Sequence, residues 1–180
     1  MIELFLKGGF LMYPIAVCSV IGLSILINKA IKYSALLKEI ESSPNEILKN
    51  KPLIMQPVLK ALEDGCDEQE LSVIGTRQVR GIEAGLSWLG LIATIAPLLG
   101  LTGTVTGMIK AFMVIAESSS VNPSMLAGGI WEALITTAAG LLVAIPIHIG
   151  HHYLERQADE IAFVMKEMTM SLYRRCKVGI

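Results

Sequence analysis

The acidic side chain Glu132 stands alone in an apolar setting, since Ala133 to Ile147 follow it without a charge. A carboxylate at depth in hydrocarbon costs a few kcal/mol, so it faces an aqueous cavity or a partner group unless it only stabilises a helix N-terminus through the dipole. Thr136, four residues on, shares its face, and Thr137 lies beside it. A track of hydroxyls leading deeper is therefore geometrically available. A second run, Ala93 to Gly107, holds Thr94, Thr102, Thr104 and Thr106 together with Pro97, Gly100, Gly103 and Gly107. Glycines three and four apart share one helix face, on which another helix backbone can approach closely. That face either serves helix association alone or lines a pore, with Pro97 freeing a backbone carbonyl.

His148, His151 and His152 would group imidazoles on one side of a helix. Without carboxylate partners or further ligands they read as interfacial polar residues rather than a metal site. The chain holds no phosphate-binding glycine loop, no nucleophile elbow and no dinucleotide fingerprint. Nothing equips it as an ATPase or hydrolase. The expectation is a non-enzyme with no cofactor and no metal.

The surrounding elements must hold these residues in a membrane. Of 180 residues 53% are hydrophobic and only 17% charged, too apolar for a small soluble domain. The formal net charge of -1 leaves no basic excess for nucleic acid. Three scattered cysteines, Cys18, Cys66 and Cys176, suggest neither zinc nor a disulfide framework. Between Lys7 and Lys29 lie 21 residues without a charge, and between Glu83 and Lys110 lie 26. Both exceed the roughly 20 that a spanning helix needs. The first is read as a retained span rather than a signal peptide, because it outruns an h-region and follows Glu3.

The expected organisation is all-α with three transmembrane helices at 8–28, 84–115 and 128–149. An extracytoplasmic N-terminus at 1–7, a cytoplasmic helical loop at 29–83, an outer loop at 116–127 and a cytoplasmic helical tail at 150–180 complete it. Eight of fifteen Lys and Arg fall in the 29–83 loop and five in the tail, which places both on the cytoplasmic side. Tyr13 and Trp131 near the outer ends, with Tyr33, Trp88 and Tyr153 near the inner ends, read as interfacial anchors.

In the loop, Ser43-Pro44-Asn45-Glu46 and Asp67 to Glu70 are helix starts, and Gly65 closes the short helix between them. No proline interrupts Glu68 to Pro97, so one continuous helix is expected to rise from the loop into the second span. Asn122-Pro123 reads as an N-cap with proline at the first helical position. In the tail, Leu154, Ala158, Ile161, Met165, Met168 and Leu172 form a heptad seam, covered by the chain's own loop helices or by another subunit.

The run Ala96-Pro97-Leu98-Leu99-Gly100-Leu101-Thr102-Gly103-Thr104-Val105-Thr106-Gly107-Met108-Ile109, followed by Gly129-Ile130-Trp131-Glu132-Ala133-Leu134-Ile135-Thr136-Thr137-Ala138-Ala139-Gly140-Leu141, resembles the MotA/TolQ/ExbB proton-channel family. The ExbB and TolQ branch is nearest. The resemblance implies a ring-like homo-oligomer, a pentamer, whose second and third helices line a pore. That pore encloses the membrane helices of an ExbD- or TolR-like single-span partner with a membrane aspartate. Protons are the implied coupling ion, with work delivered through a TonB- or TolA-like protein, in a bacterial inner membrane with the N-terminus outside. Glu132 and Thr137 match the third-span glutamate and threonine of the family, and Pro97 its second-span proline. Where that branch has threonine directly before the Ala-Pro pair this chain has Ile95, with Thr94 one position earlier. The alternatives from other classes are a passive membrane scaffold, a catalytic membrane enzyme using Glu132 with the histidines, and a flagellar or gliding stator.

The charge asymmetry generates a first test. An impermeant thiol reagent applied to intact cells is expected to spare Cys66 and Cys176, and strong labelling of either from outside would reverse the orientation.

Overall fold

The computed structural model describes residues 8–40, 52–65, 67–117 and 123–178, with the backbone alone at 123–125 and 176–178. All regular structure in them is helical. The helices are α1 (Met12–Ile40), α2 (Gln56–Glu63), α3 (Glu68–Glu83), α4 (Leu86–Ala116) and α5 (Pro123–Val178). Three stretches are long and apolar enough to cross a membrane: Met12–Ile40, Glu68–Ala116 and Leu126–Arg175. Contacts divide the chain into one unit of Met1–Leu26 with Ser87–His151 and a second of Ile27–Leu86 with His152–Ile180.

In the first unit α4 is apolar all round, the composition of a helix solvated by lipid and other helices rather than by water. It passes through Pro97 unbroken, as α5 passes through Pro146. Missing proline N–H groups are tolerated in spans because neighbouring helices and hydroxyls supply the bonds. The N-terminal part of α1 buries Met12 and Ile15 and exposes Val17, Val20, Ile21, Leu23 and Ile27. Such a face suits lipid tails.

The second unit is built on conventional helix signals. Asp67 caps α3, accepting a bond from the Glu68 amide at 2.8 Å, and Glu68 and Glu70 sit in the first turn where the dipole favours negative charge. Gly65, at φ +75°, follows the end of α2 as the sequence suggests. The start expected at Ser43 to Glu46 lies outside the described residues; α2 begins at Gln56 with Pro57 in its first turn.

Two expectations fail. The continuous helix from Glu68 into the second span does not form. α3 ends at Glu83 and α4 begins at Leu86, because Gly85 takes φ +99°, a backbone conformation open to glycine but not to a helix. Tyr33 is not an interfacial anchor either. It is fully buried, and its hydroxyl donates to the Ile82 carbonyl at 2.6 Å, where Lys29 Nζ also donates at 2.8 Å. These two bonds satisfy a carbonyl left without a helical partner by the break at Gly85. Trp88, Tyr13, Trp131 and Tyr153 do remain exposed.

The heptad seam is covered within the chain. Leu154, Ala158, Ile161, Met165 and Leu172 are buried, while Met168 is only half-buried. Thr169, donating to the Met165 carbonyl at 2.7 Å, fills the buried position beside it. Between α3 and this part of α5 lies a cavity of about 250 Å³, lined among others by Leu71, Val79, Ala162 and Met165.

Candidate functional site

Within the first unit α4 and α5 run antiparallel and their backbones nearly touch. A Cβ added to Gly140 would lie 2.6 Å from the Ala96 carbonyl oxygen, and one added to Gly100 would lie 3.0 Å from Thr137 Cα. Gly107 and Gly129 are reciprocal: a Cβ on either would sit 2.8 Å from the other's carbonyl oxygen. At Gly103 the space is taken by the Thr136 side chain. The glycine face expected for helix association or a pore is thus filled by α5 of the same chain. With lipid tails as apolar as leucine, van der Waals contact and interhelical hydrogen bonds hold such a seam.

The hydroxyls divide into two kinds. Thr94 donates to the Gly90 carbonyl at 3.0 Å, Thr102 to Leu98 at 2.8 Å, Thr104 to Leu101 at 2.6 Å and Thr106 to Thr102 at 2.9 Å. All four satisfy themselves on α4. Thr136, only 1% exposed, likewise bonds to the Glu132 and Ala133 carbonyls of its own helix at 2.9 Å each. Thr137 differs. Its hydroxyl crosses the seam and donates to the Gly100 carbonyl on α4 at 2.9 Å. The absence of a side chain at Gly100 is what lets it reach. After donating, the hydroxyl keeps its acceptor lone pairs.

Glu132 is paired. Its Oε1 lies 2.7 Å from Lys110 Nζ, with the carboxylate side chain 23% and the lysine side chain 60% exposed. Gly9 completes the surroundings: at φ +70°, it has the Glu132 carboxylate where its own Cβ would stand. Because α5 begins at Pro123, Glu132 is more than two turns in, beyond the reach of the terminal dipole. It is a carboxylate with a counter-ion, on a helix long and apolar enough to cross a membrane.

These residues do not form one track. On a helix Glu132 and Thr137 are about 140° apart, one on each side of the line through Gly129, Ala133, Thr136 and Gly140 that meets α4. Thr94 is exposed and lies six residues from Gly100, about 9 Å toward the other end of α4. Pro97 is half-buried beside the seam, and Thr104 is half-buried as well. The histidines gather no metal site, and among the described residues no cluster of potential ligands exists. His151 packs instead on Gly90, where a Cβ would be 3.2 Å from its Nε2. Lys110 and Gly9 were missed by sequence reasoning. The signal was present: Lys110 ends the second uncharged run and Glu132 stands just before the third, on helices whose contacts run antiparallel.

Residues 47–167 match the family model described as MotA/TolQ/ExbB proton channel family. The chain is 30% identical to the putative biopolymer transport protein ExbB-like 1 of Synechocystis sp. over 97% of this chain and 79% of that protein. It is 49% identical to biopolymer transport protein exbB1 of Vibrio cholerae over 42% of this chain and 34% of that one. With the Tol-Pal system protein TolQ of Haemophilus influenzae it shares 36% identity over 47% of this chain and 37% of that one. The latter two matches therefore cover about a third of each relative's length.

The seam generates a stability test. Gly140→Ala must push a methyl against the Ala96 carbonyl, a backbone atom that cannot swing away, and overpacking of this kind costs about 1–3 kcal/mol. Gly128→Ala meets nothing within 4 Å. The thermal denaturation midpoint of the detergent-extracted protein should fall for the first variant and not for the second. Equal midpoints would show that the seam is looser than described.

Proposed function

Because the chain belongs to the MotA/TolQ/ExbB proton channel family, we propose that it is the pore-forming subunit of a proton-driven motor that does work on the cell envelope. The observation that carries this reading is the distribution of ionisable groups. Residues 84–109 and 133–147 hold no ionisable side chain, and Glu132, the carboxylate next to the second of these runs, is already paired with Lys110. A relay across about 30 Å of hydrocarbon needs a protonatable group at depth. A second chain supplies it: an ExbD- or TolR-like single-span partner with a membrane aspartate.

In this reading several copies of the chain, five in the family pattern, surround the partner helices in the inner membrane, with N-termini outside and the loop and tail cytoplasmic. Thr137 is the contact at depth. Its hydroxyl is oriented by the Gly100 carbonyl and can accept a hydrogen bond from the partner's protonated carboxyl. Glu132 acts nearer the outer end, where an ion enters. Thr136 and Thr94 are lesser members of the path, and Pro97, Gly100, Gly103, Thr104 and Gly107 shape the wall. No cofactor takes part, and the proton is the coupling ion. Each charge that crosses yields about 2.3 kcal/mol per 100 mV, enough to drive a conformational step. Work would pass through a TonB- or TolA-like protein, in keeping with relatives named for biopolymer transport and for the Tol-Pal system.

The test separates chemistry from packing. Thr137→Val keeps the shape and loses one hydrogen bond worth about 1 kcal/mol. It should leave the complex recoverable and lower proton-motive-force-dependent output at least about tenfold, the effect of a barrier raised by about 1.4 kcal/mol. Glu132→Gln should assemble and impair output too, whereas Thr136→Val, whose hydroxyl serves its own helix, should do less. Full output from both Thr137→Val and Glu132→Gln in intact complexes would make these side chains structural and remove the reading.

A further inference from the structure

We propose that Lys110 is the positioning residue of Glu132, and that the Lys110–Glu132 pair works as one unit at the outer end of the ion path. The inference rests on the reading of Glu132 just given and adds to it a residue that neither composition nor the family motif singles out.

Three observations carry it. The first is geometric: Nζ and Oε1 are 2.7 Å apart, a full charge-assisted hydrogen bond made between helices rather than along one. The second is the way the contact is built. Lys110 is one turn or more inside the end of α4, and Glu132 is well inside the start of α5, so neither group is a fraying terminus. The close contact of Gly107 with Gly129 and Ala133, three residues before Lys110 and beside Glu132, fixes the two backbones between which the pair is made. The third is Gly9. Its positive φ and missing side chain leave room for the same carboxylate oxygen, Oε1, that Lys110 engages, so that Glu132 is enclosed from the segment before α1 as well as from α4. Among the described residues, Lys110 is the charged group that faces it.

The consequence is a sidedness. Held toward Lys110 and Gly9, the carboxylate points away from the flank on which Thr137 reaches Gly100. An ion arriving from outside therefore meets a neutral pair rather than a free anion, and engages Glu132 only as Lys110 swings off. The lysine can do so, since its side chain is 60% exposed while the carboxylate is largely enclosed. An ordinary interfacial ion pair is worth little and would be dispensable; a positioning pair would not.

The experiment is a double-mutant cycle in the assembled complex in cells, scoring complex recovery and proton-motive-force-dependent output for Lys110→Gln, Lys110→Arg, Glu132→Gln and Lys110→Gln with Glu132→Gln. Lys110→Gln should lower output at least about tenfold with the complex intact, an effect of the size expected when a charged partner is removed. Lys110→Arg, which keeps the charge and can still reach the carboxylate, should restore most of it. In the Glu132→Gln background Lys110→Gln should add nothing. Normal output from Lys110→Gln while Glu132→Gln is impaired overturns the inference, as does a loss that simply adds to that of Glu132→Gln, or a loss that arginine does not repair. Full output from Glu132→Gln itself overturns instead the reading of Glu132 on which the inference rests, so the two failures are told apart.

Discussion

The seam between α4 and α5 is so close that the Ala96 carbonyl oxygen occupies the approach to Gly140 and the Gly107 and Gly129 backbones face each other without side chains between them. Every other feature of the membrane unit follows from that spacing. A threonine side chain is short, and Thr137 reaches the Gly100 carbonyl only because no Cβ intervenes. The same contact sets the register in which Lys110 meets Glu132. Burying backbone against backbone in this way gains dispersion contacts that lipid, being as apolar as the helices, does not compete away through the hydrophobic effect.

A unit built this way has a chemical consequence. Its hydroxyls are engaged with carbonyls, its carboxylate Glu132 is engaged with a lysine, and residues 133–147 beyond it carry no charge. It can shape and orient an ion path without supplying the group that carries a proton through the middle of the membrane. On the proposed reading, membership of a proton channel family and the want of a deep acid in the chain would be reconciled by a second chain that brings one. The exposed face of α4, which includes Thr94, Leu98, Thr102 and Val105, remains available for such an encounter.

Much of this was legible in the residues. Runs without charge mark the spans because hydrocarbon excludes charge, and Gly65, Asp67 and Pro123 mark helix ends because backbone geometry leaves few alternatives. The glycine spacing disclosed a close-packing face. It did not disclose what would fill it, because the partner is chosen by tertiary register rather than by local pattern. The break at Gly85 was hidden for a related reason: glycine is tolerated inside apolar helices, and its positive φ is settled by the Tyr33 and Lys29 bonds to Ile82 from a distant part of the chain. Lys110 was visible as a charge and misread as a mere boundary mark, since pairing across antiparallel helices cannot be read from spacing along one.

The central claim is that this chain orients a proton path whose deep acid belongs to a partner. It is tested most directly by reconstituting the purified protein in liposomes, imposing a membrane potential and following internal pH. The chain alone should conduct no better than empty liposomes. Flux should appear on co-reconstitution with a single-span partner carrying a membrane aspartate, and disappear when that aspartate is replaced by asparagine. Proton flux through the chain alone, abolished by Glu132→Gln, would contradict the claim and make this subunit a complete channel.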